Sequence, residues 1–162
     1  MSLVNIEKKI FTWEDLATQC QEWQSEGQKI VFTNGCFDIL HFGHLHYLAA
    51  AKALGDRLII GLNSASSVAR LKGIHRPIQD EKTRIFMIAS LQYVDAVTTF
   101  EEDTPLKLIE TIRPDILVKG GDWPIESIVG AQFVLKNGGA VKSLAFIDGY
   151  STTAIETKIK NS

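Results

Sequence analysis

The chain is 162 residues long, about one domain, with no room for a second catalytic unit of ordinary size. Its composition is 45% hydrophobic and 22% charged, with four prolines and twelve glycines, which argues against disordered and fibrous classes and permits a real core. A formal net charge of −2 supplies no basic field, so bulk nucleic-acid binding is not expected and any anionic ligand must meet a local cluster.

The first predicted helix starts at Thr12, an N-cap with Asp15 three residues on. Trp13, Leu16, Ala17, Cys20 and Trp23 form its apolar stripe, and Gly27 ends it. Lys29 to Asn34 reads as a strand; Leu45, Leu48, Ala49 and Ala53 then show helical spacing as far as Gly55. Arg57 to Asn63 has the near-continuous apolar content of a strand buried on both faces. Ser64 to Gln79 reads as a long polar loop. Asp80 can cap a helix carrying Ile85, Ile88, Ala89 and Leu91, and a short strand falls near Ala96 to Thr99. Thr104-Pro105 opens a helix with Leu106, Ile109 and Ile112, and Pro114 lies beyond its end. Ile116 to Val118 is a fourth strand, Gly130 to Lys136 a helix, Ala140 to Phe146 a fifth strand, and Ser151 caps a last helix. No repeat or linker interrupts this order. The reading is therefore one domain over 1–162, with a segment 1–27 holding one helix, its first nine residues frayed, and a core over 28–162. The alternation predicts an α/β fold: a parallel sheet of about five strands with helices on both faces and ligands at the carboxyl ends of the strands.

Four segments sit where such ligands bind. Asn34-Gly35-Cys36-Phe37-Asp38-Ile39-Leu40-His41-Phe42-Gly43-His44 leaves strand one and opens a helix, whose free N–H groups and positive dipole end suit phosphate. Gly35 and Gly43 allow close approach of backbone to ligand, and His41 and His44 can donate to phosphate oxygens. Two other readings of the segment stand: a metal site from Asp38, His41, His44 and His46, or ordinary packed histidines. The second segment, Leu71-Lys72-Gly73-Ile74-His75-Arg76-Pro77 followed by Arg84, offers cations for a polyphosphate; the alternative is a solvated loop, with Arg84 paired to Asp80 or Glu81. The third, Lys119-Gly120-Gly121-Asp122-Trp123, brings backbone groups near a ligand such as a base edge, or is a simple Gly-Gly turn. The fourth, Tyr150-Ser151-Thr152-Thr153, is an anion site at a helix start or an ordinary cap.

Absences narrow the field. There is no G-x-x-x-x-G-K-[ST] loop, no G-x-G-x-x-G fingerprint after strand one, no CxxC pair for zinc and no G-x-S-x-G elbow. No apolar run is long enough to span a membrane, and no basic-then-apolar leader opens the chain. Cys20 and Cys36 cannot build a disulfide framework, so a reducing cytoplasm is the expected location.

These segments, as FTNGCFDILHFGH, GLNSASSVARLKGIHRP, FEEDTP, LVKGGDW and GYSTT, resemble the nucleotidyltransferase superfamily marked by HxGH. Within it the chain is similar to the D-glycero-β-D-manno-heptose 1-phosphate adenylyltransferases, or ADP-heptose synthases, over about Ile30 to Ile159. The HxGH string marks the superfamily; LKGxxRP, EEDTP and KGGD point to the heptose branch. The resemblance implies a Rossmann-like α/β sheet, a homodimer, ATP with Mg²⁺ and a sugar 1-phosphate as substrates, no resident metal, and no membrane or nucleic-acid partner. In many bacteria this transferase is fused to a sugar kinase, and this chain resembles the stand-alone form with a separate kinase.

Residue by residue, the resemblance implies that His41 and His44 bind the nucleotide phosphates and stabilise charge at the reacting phosphorus. Lys72 and Arg84 embrace the triphosphate, and Lys72 and Arg76 the substrate phosphate. Asn34, Gly35, Cys36, Phe37 and Gly43 form the nucleotide cradle. Lys119, Gly120 and Asp122 belong to the base and ribose pocket, and Ser151, Thr152 and Thr153 close on the outer phosphates. Lys158 stands where related cytidylyltransferases often carry arginine, so no bidentate contact is implied there. The implied reaction is attack by the sugar 1-phosphate on the α-phosphorus of ATP; the nucleophile is already an anion and needs no general base. Other readings are a cytidylyltransferase acting on glycerol 3-phosphate or a similar small phosphate, an adenylyltransferase of coenzyme synthesis, a nucleotide-binding regulatory module without turnover, and a zinc protein.

Overall fold

The computed structural model describes residues 3–162. In chain order its elements are α1 (Leu3–Glu7), α2 (Trp13–Ser25), β1 (Ile30–Gly35), α3 (Phe42–Lys52), β2 (Arg57–Asn63), α4 (Ala65–Lys72) and α5 (Glu81–Ala89). There follow β3 (Ala96–Phe100), α6 (Leu106–Ile112), β4 (Ile116–Gly120), a 3-10 turn at Ile125–Ser127, α7 (Ala131–Lys136), β5 (Ala140–Leu144) and α8 (Thr152–Lys160). The strands form one parallel sheet in the order β3-β2-β1-β4-β5. The chain winds outward from β1 in one direction through β2 and β3, then returns to β4 on its other side. That reversal opens a crevice beyond the carboxyl ends of β1 and β4.

β1 and β2 are buried on both faces, and successive residues alternate between two cores. Ile30 and Phe32 of β1, Ile59 of β2 and Leu117 of β4 face Leu16 and Cys20 of α2, Leu108, Ile109 and Ile112 of α6, and Val134 of α7. Val31, Leu58, Ile60 and Val118 face the other way, onto Tyr47, Leu48 and Ala51 of α3 and Ile88 of α5. Thr12 accepts from the Asp15 N–H, Asp80 from the Thr83 N–H and Ser151 from the Ala154 N–H, so the expected caps of α2, α5 and α8 form.

Three expectations need correction. Ser64 to Gln79 is not all loop: Ser64 Oγ accepts from the Ser67 N–H at 3.1 Å and starts α4, whose Val68 is buried beside β2. The serine-rich first turn and the single well-buried apolar residue hide the helix from a periodicity reading. Segment 1–27 holds two helices rather than one, and the connection after α1 is anchored by Phe11 N–H to Val97 O at 2.9 Å. Thr104 does not cap α6, which begins after Pro105 without a side-chain cap.

Candidate active site

β1 ends in Asn34-Gly35, and the chain then turns through Phe37 at φ 45°, a left-handed conformation costly for a bulky residue. Gly35 is required here, because a Cβ would stand 2.9 Å from the Phe37 ring. The turn is braced from behind. The Asp38 carboxylate accepts from the Ile78 and Gln79 N–H groups, each at 2.9 Å, and from Arg76 Nη1 at 2.6 Å. Burial alone would raise the Asp38 pKa, but these backbone and guanidinium bonds bring it below the usual value. Arg84, fully buried, donates from Nη1 to Cys36 O at 2.9 Å and Asn63 O at 2.8 Å, tying the ends of β1 and β2 together.

α3 starts at His41, whose backbone is extended and whose ring stacks on His44 at 3.8 Å between centroids. Gly43 is buried, and a Cβ there would stand 3.1 Å from the His41 ring and from Tyr150 Cβ. Phe37 packs edge-on to His44 at 5.3 Å. Burial lowers the pKa of His41, and burial, His41 and Lys72 together lower that of His44 to about 4. The pair is therefore neutral at pH 7, which lets the rings stack without repulsion and leaves each imidazole one N–H to donate.

Two clefts flank the β1–β4 crevice. The first, about 290 Å³, is walled by Phe37, His44, Tyr47, Lys72, Gly120, Phe146 and Thr152. The second, about 370 Å³, is walled by Asn63, Leu71, Asp103, Thr104, Leu117, Ser127 and Ile128. We refer to them as the His44 cleft and the Thr104 cleft. Asn34, Gly35, Cys36, Lys119 and Trp123 line both and form the crest between them. The Trp123 ring lies over Gly121 and donates from Nε1 to Gly120 O at 3.0 Å. Gly121 has φ 103°, and a Cβ on it would stand 2.9 Å from that indole nitrogen, so glycine fits on both counts. Desolvation lowers the Lys119 pKa, and burial raises that of the Cys36 thiol.

The structure gathers most of the expected site residues: Asn34, Gly35, Cys36, Phe37, His44, Lys72, Lys119, Gly120 and Thr152 all line the His44 cleft. Others stand differently: His41 and Gly43 line neither cleft, and the His41 ring stacks against His44 instead. Arg84 is not open to the cleft, because its guanidinium spans two strand ends. Arg76 is held between Asp38 and Glu156 of α8. Ser151 and Thr153 are exposed around the α8 start, and Asp122 is exposed beyond the crest. The metal reading of the first segment meets an obstacle, since both Asp38 oxygens already accept N–H bonds. Among the described residues no group of three or more His, Cys, Asp or Glu side chains is placed to hold a metal ion. Asn63, Tyr47, Ser127 and Phe146 line the clefts without having been read as site residues, and Thr104, expected as a helix cap, lines one as well. Asn63 was findable as the polar residue ending an apolar strand, and Tyr47 as the residue one turn beyond His44.

A parallel sheet with a histidine-bearing helix start at its switch point defines an α/β protein with its ligand crevice beyond the carboxyl ends of β1 and β4. The cytidylyltransferase-like family model matches residues 32–158, and the chain belongs to that family. The chain is 56% identical over 145 residues to the Bifunctional protein HldE of Marinomonas sp. (strain MWYL1), which covers 90% of this chain and 30% of the relative. The Bifunctional protein HldE of Pseudomonas aeruginosa (strain LESB58) is 51% identical, over 95% of this chain and 33% of its own. The chain thus spans about a third of the length of these curated relatives. Among solved structures, the lipopolysaccharide core biosynthesis protein from Thermoplasma volcanium GSS1 matches with TM-score 0.61 and 33% identity, over 77% of this chain and 100% of that one. The pantoate-beta-alanine ligase from Francisella tularensis matches at TM-score 0.60 with 15% identity, over 93% of this chain and 76% of that one, a likeness of fold alone. No helix among the described residues is long and apolar enough to cross a membrane.

Proposed function

We propose that this chain transfers AMP from ATP to D-glycero-β-D-manno-heptose 1-phosphate, giving ADP-heptose and pyrophosphate. The observation that carries the reading is the His44 cleft itself, where the His44 imidazole, backed by the stacked His41 ring, meets Lys72 and a helix start in a chain about half identical to HldE proteins. The word "bifunctional" in the relatives' names, with only a third of their length matched, accords with a transferase unit beside a second unit. That second activity would be the sugar kinase supplying the 1-phosphate. The unit is proposed to work as a homodimer in the cytoplasm, in keeping with ATP as substrate and two unbridged cysteines.

In this reading the triphosphate lies in the His44 cleft against the α3 start. His41 and His44 donate to phosphate oxygens, and Lys72 adds a compact positive charge. Thr152, flanked by Ser151 and Thr153, meets the outer phosphates, with Gly43 permitting the approach. Asn34, Gly35, Cys36 and Phe37 form the floor, and Lys119, Gly120 and Asp122 the ribose and base side. Arg84 acts through the backbone it holds rather than by contact. Arg76 reaches a substrate phosphate only by leaving its two carboxylates. The side chains offer Mg²⁺ no cage of their own, so the ion would arrive on the nucleotide, where it offsets phosphate charge. Because the attacking phosphate is already ionised, positioning and charge stabilisation suffice and no side chain must take a proton.

The test is pyrophosphate release with Mg²⁺ and the heptose 1-phosphate, comparing ATP with CTP. Release with ATP alone, dependent on the sugar phosphate, is expected; release with CTP alone would move the chain to the cytidylyltransferase reading. His44→Ala should lower kcat by roughly 10²–10³-fold through loss of one preorganised donor. A folded His44→Ala protein with full turnover would sink the assignment.

A further inference from the structure

Lys119, next to last in β4, lies on the crest and is, among the described residues, the one charged side chain common to both clefts. It forms none of the ion pairs or side-chain hydrogen bonds found among the described residues, where Lys52, Arg57, Arg70, Arg76 and Lys107 all have carboxylate partners. It is also half-buried, and desolvation disfavours its charged form. A half-buried ammonium without a partner is costly unless an anion completes it. That anion must lie where the two clefts meet.

The clefts differ in chemistry. The His44 cleft offers imidazole, ammonium and a helix start, which suit a polyphosphate. The Thr104 cleft offers short polar groups, Asn63, Asp103, Thr104 and Ser127, over an apolar floor that includes Leu117 and Ile128. Amide, hydroxyl and carboxylate groups match the hydroxyls of a sugar, and apolar side chains match its C–H face. Among the described residues Lys119 is the only cation on that wall; the other charged residue, Asp103, lies off the crest and pairs with Arg70 at 3.0 Å. A sugar phosphate entering this cleft finds its one cationic anchor at the crest, with the sugar body pointing away from it.

We propose that Lys119 is a catalytic residue that holds the acceptor phosphate against the α-phosphate of the nucleotide, with the acceptor's sugar in the Thr104 cleft. This rests on the adenylyltransfer reading above and extends the role of Lys119 from the nucleotide side to the reacting centre. An acceptor phosphate oxygen forms the new bond to the α-phosphorus. The bond from that phosphorus to the oxygen bridging to the β-phosphorus breaks, and pyrophosphate leaves with the electron pair. No proton is transferred. Beyond its place on the ribose side, Lys119 offsets the repulsion between two anions brought together, a contribution made only when both are present.

The experiment compares wild type with Lys119→Ala, Lys119→Gln and Lys119→Arg. It measures pyrophosphate release while ATP and heptose 1-phosphate are varied separately, with ATP affinity measured by calorimetry. For Lys119→Ala and Lys119→Gln, kcat/KM for the sugar phosphate should fall roughly 10²–10³-fold, while the Kd for ATP weakens by less than about 10-fold, the share its place on the ribose side accounts for. Lys119→Arg should recover part of the loss, which a purely structural role would not predict. Lys119→Gln keeps the test open if Lys119→Ala does not fold. A loss confined to ATP affinity, or unchanged acceptor kinetics in a folded variant, would overturn the proposal while leaving the adenylyltransfer reading intact. A wild-type protein that releases no pyrophosphate with the sugar phosphate would overturn both.

Discussion

The two ends of the sheet are built on opposite plans. At the amino ends, aspartates close the strands: Asp56 accepts from Lys29 N–H at 2.8 Å, Asp95 from Leu58 N–H at 2.7 Å and Asp115 from Ile30 N–H at 2.8 Å. Lys52 and Arg57 complete Asp95, and Gln24 completes Asp115. Donors and acceptors there satisfy one another. At the carboxyl ends the strands run out into open clefts, Lys72 and Lys119 have no carboxylate partner among the described residues, and two helices point their starts at the same space. One end uses its polar groups to hold the fold; the other leaves them for a ligand. Buried Arg84 and the Arg76 clasp are the exceptions, being cations at the functional end spent on structure.

Arg84→Ala should have the largest effect on this contrast. It strands the Cys36 and Asn63 carbonyls and empties a fully buried site, so destabilisation of about 4 kcal/mol is expected. Chemical denaturation measures that loss, and any folded fraction should show a weaker ATP affinity because the strand ends carrying the cradle are freed. Stability near wild type would mean that the strand ends hold their spacing without the arginine.

Asp95→Ala probes the closed end. The Leu58 N–H and two cations lose their acceptor, and about 3 kcal/mol should be lost. Here the kinetic constants of the folded enzyme should match wild type. A changed KM for either substrate would contradict the separation of the two ends.

The smallest expected effect is that of Glu156→Gln. α8 has no buried residue, and its ties to the body include the Arg76–Glu156 ion pair, whereas α3 buries Gly43, Tyr47, Leu48 and Ala51. Loss of the pair should cost less than about 1 kcal/mol. It should raise the KM for ATP modestly and flatten the salt dependence of that KM, which steady-state assays from low to high salt would resolve. An unchanged salt response would mean that α8 is held by something other than this charge pair.

The amino-acid sequence by itself determined the layered α/β order, because runs such as Arg57–Asn63 have the apolar content of strands buried on both faces and Thr12, Asp80 and Ser151 are cap residues placed before helical patterns. It also singled out the helix start at the mouth of the His44 cleft, since glycines and histidines in a strand–turn–helix setting are a local signal. α4 escaped it because a serine-rich start with one buried valine has little periodicity. Only the tertiary structure decided which cations are free. Arg76 and Arg84 look as available in sequence as Lys72 and Lys119, yet Arg76 is held by Asp38 and Glu156, and Arg84 is fully buried with its Nη1 on the carbonyls of Cys36 and Asn63. The crest shared by two clefts was likewise a product of folding, built from residues of β1, β4 and the turn after it. Charge is written in the sequence, but whether that charge is paired depends on contacts between segments dozens of residues apart.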